Sequence, residues 1–159
     1  SLKTLRPDEK VMSGLSIMRK RLLASRSMDE KWSLKLGQGK LQDIELVSQM
    51  GILLSNENIS GVHSGLTNLH KLKKICAEDL NYLINTYELL LSVQILSKLL
   101  LKEDIKDREL GANGKDLLFK HTDTSSIPLL IEKIAEMTSK SATIISNILP
   151  NPKEVYDER

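Results

Sequence analysis

Residues 41–54 read Leu-Gln-Asp-Ile-Glu-Leu-Val-Ser-Gln-Met-Gly-Ile-Leu-Leu, and residues 58–72 read Asn-Ile-Ser-Gly-Val-His-Ser-Gly-Leu-Thr-Asn-Leu-His-Lys-Leu. In the first stretch Leu41, Ile44, Val47, Gly51 and Leu54 recur at three- and four-residue steps, the period of one helix face. In the second, Ile59, Val62, Leu66, Leu69 and Leu72 do the same, with Gly61 and Gly65 four apart. Glycine weakens a helix, so glycines at that spacing are expected to serve close helix packing. Ser55-Asn56-Glu57-Asn58 separates the stretches as a turn, with Asn58 an expected N-cap. Two further helical segments follow, marked by Leu80, Leu83, Ile84 and Tyr87, then by Leu90, Val93, Leu96 and Leu99 or Leu100. Four short amphipathic helices between Leu41 and Leu101 make the chain all-α.

Upstream, Pro7 opens a first helix, where its missing N–H costs nothing. Val11, Leu15, Met18 and Leu22 give it one apolar stripe, with Arg19-Lys20-Arg21 mostly off that stripe. Ser27-Met28-Asp29-Glu30 has the form of a capping box before a short turn through Trp32 and Leu34. Gly37-Gln38-Gly39 then bends the chain. Trp32 is the single tryptophan and is expected to be a buried anchor, since large aromatics bury area first.

Downstream, residues 102–126 are charged, then glycine-bearing at Gly111-Ala112-Asn113-Gly114, then polar. They are expected to form a long connection, helical only at its ends. Ser126 and Pro128 start a last helix whose buried face carries Ile131, Ile134, Met137, Ile144 or Ile145, and Ile148. Pro150-Asn151-Pro152 stops it. The expected organisation is a basic N-terminal helical arm over 1–40, a helical bundle over 41–149 with an insertion at 102–126, and a loose tail over 150–159.

Composition narrows the chemistry. Aromatic residues make up 3% of the 159 residues, so the core is aliphatic. Cys76 stands alone, which excludes an intrachain disulfide and fits a reducing compartment. No apolar run is long enough to cross a bilayer, and no signal-peptide layout opens the chain. Ser1 in place of an initiator Met is expected of a piece cut from a longer protein. Residues 1–40 carry ten Lys/Arg against four Asp/Glu; residues 41–159 carry thirteen against seventeen. The basic arm is therefore either a solvated helix face or an auxiliary contact for nucleic acid or an acidic partner.

Catalytic and metal-binding patterns are missing from the sequence. His63 and His70 are seven apart, whereas metal pairs prefer three or four. His121 has no partner in sequence, and Cys76 reads as a buried or partly buried structural thiol. Gly37-x-Gly39 lacks the rest of a phosphate loop. Glu78-Asp79 and Glu103-Asp104 are neighbours in sequence, and helix neighbours do not face one another. No basic recognition helix or aromatic stacking platform appears in the body. The chain is expected to be neither an enzyme nor a holder of metal or cofactor.

A resemblance adds to this reading. Leu41-Gln42-Asp43-Ile44 through Leu53-Leu54-Ser55-Asn56 resembles the first helix and turn of the integrase-binding domain of lens epithelium-derived growth factor. Asn58-Ile59 with Leu66, Leu69 and Leu72 resembles its second helix. Leu90-x-x-Val93 is similar to part of the fourth, and Lys140-Ser141 with Ile144 and Ile148 to the last. That family, the hepatoma-derived growth factor relatives, pairs a chromatin-reading PWWP domain with this helical module.

The resemblance implies a right-handed bundle of about five helices, related to elongation-factor N-terminal domains and free of an active site. It implies a nuclear, chromatin-associated adaptor that takes disordered acidic peptides with an aromatic anchor. The implied pocket has Leu53, Leu54, Ser55 and Asn56 on one wall and Ile95, Leu96, Lys98 and Leu99 on the other. This chain departs from the family at the pocket. Ser55 stands where the family has Asp, Leu91, Ser92, Gln94 and Ile95 replace a basic cluster, and Leu96 or Ile95 replaces an aromatic. A different peptide preference is implied, and viral integrase binding is not carried over. The alternative expectation is a self-associating helical scaffold with Leu90 to Leu101 as its face, aided by nucleic-acid contact through residues 1–40.

Overall fold

A computed structural model describes residues 7–24, 37–102 and 108–150. The expectations for Trp32 and for the capping box at Ser27 lie outside the described residues, as does the tail over 151–159. The fold is all-α: α1 (Pro7–Ala24), α2 (Leu41–Leu53), α3 (Val62–Lys71), α4 (Ala77–Lys102), α5 (Arg108–Thr122) and α6 (Ile127–Ile148). With α1 set aside, the bundle has the expected five helices, but two of them are drawn differently from the sequence expectation.

The two segments expected at Leu80–Tyr87 and Leu90–Leu100 are one helix, α4. No glycine or proline lies between Tyr87 and Leu90, so nothing stops the helix there. Conversely, the expected long connection is largely helix α5, which runs through Gly111 and Gly114. A glycine costs a helix roughly 1 kcal/mol, which the burial of one leucine such as Leu118 offsets. Thr122 ends α5 with its hydroxyl donating to the Leu118 carbonyl at 2.8 Å. α3 also starts later than expected. Its N-cap is Gly61, at φ 90°, and Asn58 and Ile59 belong to the connection before it.

Two apolar clusters stack along α4 and α6. The first joins Leu15 of α1, Ile44, Leu46, Val47 and Met50 of α2, Leu66 and Leu69 of α3, Ile75, Leu83 of α4, and Ile144, Ile145 and Ile148 of α6 with Leu149 beyond it. The second joins Leu89 and Val93 of α4, Leu118 of α5 and Leu130 of α6, with Leu96, Ile134 and Met137 packed on it. The early part of α4 thus meets the late part of α6, and the two helices run antiparallel. Ser141 donates to Thr86 Oγ1 at 2.9 Å, and Thr86 donates to the Tyr82 carbonyl at 2.8 Å, so the buried hydroxyls are paired. Lys140 Nζ sits 4.2 Å from the Tyr82 ring centre on the same seam. Burial and the nearby Glu136 carboxylate push the Tyr82 phenol above its ordinary range.

α2 and α3 cross at van der Waals limit. A Cβ on Gly51 would collide with the Gly65 backbone, and one on Gly65 with the Ser48 carbonyl and hydroxyl. The Ser48 hydroxyl donates to the Val62 carbonyl at 2.9 Å, and Asn68 Nδ2 to the Gly51 carbonyl at 2.8 Å. Of the two glycines singled out in this stretch, Gly65 makes the close approach. Ile131, expected in the buried face of α6, is 43% exposed, and Leu130 takes its place.

α1 is built into the bundle. Arg19 is buried: its Nε and Nη2 donate to the two carboxylate oxygens of Asp43 at 2.7 and 2.9 Å, and Nη1 to Ser146 at 3.2 Å. The stripe of α1 therefore runs through Val11, Leu15 and Arg19, while Met18 is 49% exposed.

Candidate functional site

The α2 helix ends at Leu53, and its C-cap residue Leu54 still donates its N–H to the Met50 carbonyl at 3.0 Å. Residues 54–61 then travel without helix to the start of α3. Ser55 Oγ accepts the Glu57 N–H at 3.0 Å, a local turn that a Ser two residues upstream favours. Leu54 leans inward on the first core while Ser55, Asn56, Glu57 and Ile59 loop beside the outer face of α3. That outer face presents His63, Ser64, Thr67, Asn68 and Lys71, with Leu72 beyond it, at the i, i+1, i+4, i+5 spacing of a single helix side.

Between connection and helix lies a groove of about 400 Å³, a size typical of ligand clefts. Its apolar contributors are Leu54, Ile59 and Leu72, the last 42% exposed. Around them stand hydroxyl and amide side chains and two basic side chains, His63 and Lys71, with Glu57 as the acid. His63 Nε2 lies 3.3 Å from Glu88 Oε1 on α4, an exposed contact at one end of the groove. The Asn68 bond to Gly51 locks α3 to α2 beneath it. The arrangement has no nucleophile–base pair. It suits hydrogen bonding to an extended backbone beside an apolar side chain.

The structure brings together part of the expected pocket. Leu54, Ser55 and Asn56 line the groove. Leu53 does not line it and is 54% exposed at the end of α2. On the other expected wall, Leu96 is half-buried against the second core, Ile95 and Lys98 are exposed, and none of the three lines the groove. The side chain of Leu99 lies outside the described residues. α3 supplies the opposing wall instead. Its lining residues alternate with Leu66 and Leu69, so the polar side of that helix was the available signal in the sequence.

Two other depressions are wider and more open. One of about 490 Å³ at the α5–α6 turn is rimmed by Asp123, Glu132 and Glu136, and Lys133 there donates to the Thr122 carbonyl at 2.7 Å. The other, about 520 Å³, runs along small side chains of α6 beside Gln38. Neither is lined by as many large apolar side chains as the α2–α3 groove.

Among the described residues no grouping of three or more His, Cys, Asp or Glu could hold a metal ion. His70 Nδ1 lies 3.0 Å from the Ile75 carbonyl. Cys76 is exposed, contrary to the burial expected from sequence; its sulfur accepts the Asp79 N–H at 3.4 Å and caps the start of α4. A thiol that serves as a cap must stand at the helix end, which here is at the surface. In the basic arm, Lys20 and Arg21 are exposed while Arg19 is committed to Asp43. No helix among the described residues is long and apolar enough to cross a membrane. No protein-family model, curated protein or solved structure matches the chain.

Proposed function

We propose that this chain is an adaptor module that captures a short extended segment of a partner protein in the groove between the α2–α3 connection and α3. The observation that carries the reading is the groove itself: an apolar floor at Leu54, Ile59 and Leu72, flanked by hydrogen-bonding side chains and by His63 and Lys71. A loop on a rigid crossing is a common place for recognition, because the scaffold fixes the loop while the loop varies. A segment that orders on binding loses conformational entropy, so the affinity is moderate and the contact reversible. Lys71 favours a segment with an acidic residue beside its apolar anchor. The likeness of residues 41–56 to an integrase-binding domain supports placing the module in a nuclear, chromatin-associated protein.

The test is a peptide array probed with the chain and with two surface variants, Thr67→Arg and Lys71→Glu. Both positions are exposed and line the groove. Selected peptides should lose at least about tenfold in affinity in each variant, with circular dichroism and Tm unchanged. Equal binding by wild type and both variants, all folded, removes the assignment. Leu54 and Leu96 are unsuited to this test, because each leans on a core and its loss would confound binding with stability.

A further inference from the structure

α1 buries only three of its eighteen residues: Leu15, Ser16 and Arg19. Everything that Arg19 grips belongs to the rest of the bundle. Asp43 comes from α2, with a side chain 3% exposed. Its second oxygen also takes the Gly39 N–H at 2.8 Å. Gly39 is itself fixed by close approach to the Thr138 backbone on α6, at φ 71°. Ser146 on α6 completes the set. The body thus carries a finished guanidinium site, two-pronged and oriented, beside the apolar surface that Leu15, Val11 and Met12 cover.

The hold on α1 is more selective than strong. A buried ion pair gains little beyond the desolvation it demands, although breaking it leaves a costly bare charge. Ser16 Oγ is buried with no hydrogen-bond partner among the described residues, which subtracts from the association. The apolar contribution comes from one buried leucine, with Val11 and Met12 packed on the first core and Ile17, Leu22 and Leu23 half-buried. A helix held this way opens locally while the remaining core stays formed.

We propose that the seat of α1 is a second recognition surface, occupied by α1 in cis and able to accept in trans a partner-protein helix that carries leucine and arginine four residues apart. The seat lies on α2 and α6 and does not depend on the groove being a peptide site. An incoming helix needs the arginine, because Asp43 otherwise remains buried and uncompensated. A lysine lacks the planar fork that meets both Asp43 oxygens and Ser146 with separate nitrogens, so the surface discriminates between the two cations.

Two measurements test this. In the full-length wild-type chain, hydrogen exchange should show α1 amides opening about 100-fold more often than those of α2 and α3. A labelled peptide of residues 7–24 should then bind the Arg19→Ala chain at least about tenfold more tightly than the wild type, whose seat is filled. The same peptide carrying Arg19→Lys should bind at least about tenfold more weakly. Exchange of α1 at the same rate as α2 overturns the proposal, and that measurement stands even if the Arg19→Ala chain fails to fold. Peptide binding indifferent to Arg19→Lys overturns it as well.

Discussion

The bundle has two cores on the same pair of long helices, and they are built to different standards. Around α2 and α3, thirteen buried apolar residues pack together, and helix backbones touch at Gly51 and Gly65. Around α5, four buried apolar residues do so among the described residues, while Leu117, Ile127, Leu129 and Ile131 remain between 41 and 48% exposed. Both halves are rich in leucine and isoleucine. Among the described residues the difference lies in closure: apolar content is only useful where backbones approach closely enough to fill the space between them. The candidate groove rests on the tightly closed half, where a loop can be held in one shape.

The hardest blow to that closure is Gly65→Val. The added side chain meets the Ser48 carbonyl as well as its hydroxyl, and the backbone carbonyl cannot swing aside, so the helices must part. We expect a loss of at least about 3 kcal/mol, read as a Tm fall of roughly 6–12 °C. Gly14→Ala is the control. Gly14 has open space around it on exposed α1, and alanine there should be neutral or stabilising by up to about 1 kcal/mol. Equal Tm values for the two variants would mean that the crossing is not the keystone of the first core.

Leu118→Ala asks the same of the second core. Leu118 is 4% exposed, but its cluster is small and can collapse around the loss. The expected cost is about 2 kcal/mol, near the low end for a buried leucine, against about 3–4 for Leu69→Ala in the first core. Hydrogen exchange should rise in α5 and the start of α6 only, and peptide capture by the groove should persist. A uniform rise across α2 and α3 would show that the two cores melt as one unit.

The better-packed half is also the half that was readable from the sequence. Leu41, Ile44, Val47, Leu66 and Leu69 announce two helices by spacing alone, and Ser55-Asn56-Glu57-Asn58 announces the turn between them. α5 was not legible, because Gly111 and Gly114 look like a turn until the packing of Leu118 is known. The junction of α4 was missed because its two apolar stretches read as separate faces. Arg19 looked like part of a basic surface run, since its partner lies 24 residues away on another helix. Asp43 gave no hint of its own, since an acid in the first turn of a helix, here between Gln42 and Glu45, is ordinary. At the groove, the connection was legible. The wall formed by α3 was not, because a polar helix face reads as solvent-exposed whether or not a loop lies beside it.

The smallest effect concerns the other fastening of α1 to the first core. Lys74 Nζ is 3.1 Å from Asp8 Oδ2 at the surface. That hydrogen bond from Lys74, helped by the Glu9 N–H, holds the Asp8 carboxyl below its ordinary range. A carboxyl whose value is lower folded than unfolded contributes stability above the unfolded value and loses it as pH falls through the folded one. The pair therefore fastens α1 at neutral pH and releases it in acid. Being exposed, it is weak and screened by salt. Asp8→Asn should speed α1 exchange less than about twofold at neutral pH and leave the rate unchanged in acid, where Asp8 is already protonated. A change that persists in acid, or in high salt, would mean that Asp8 acts through packing rather than charge.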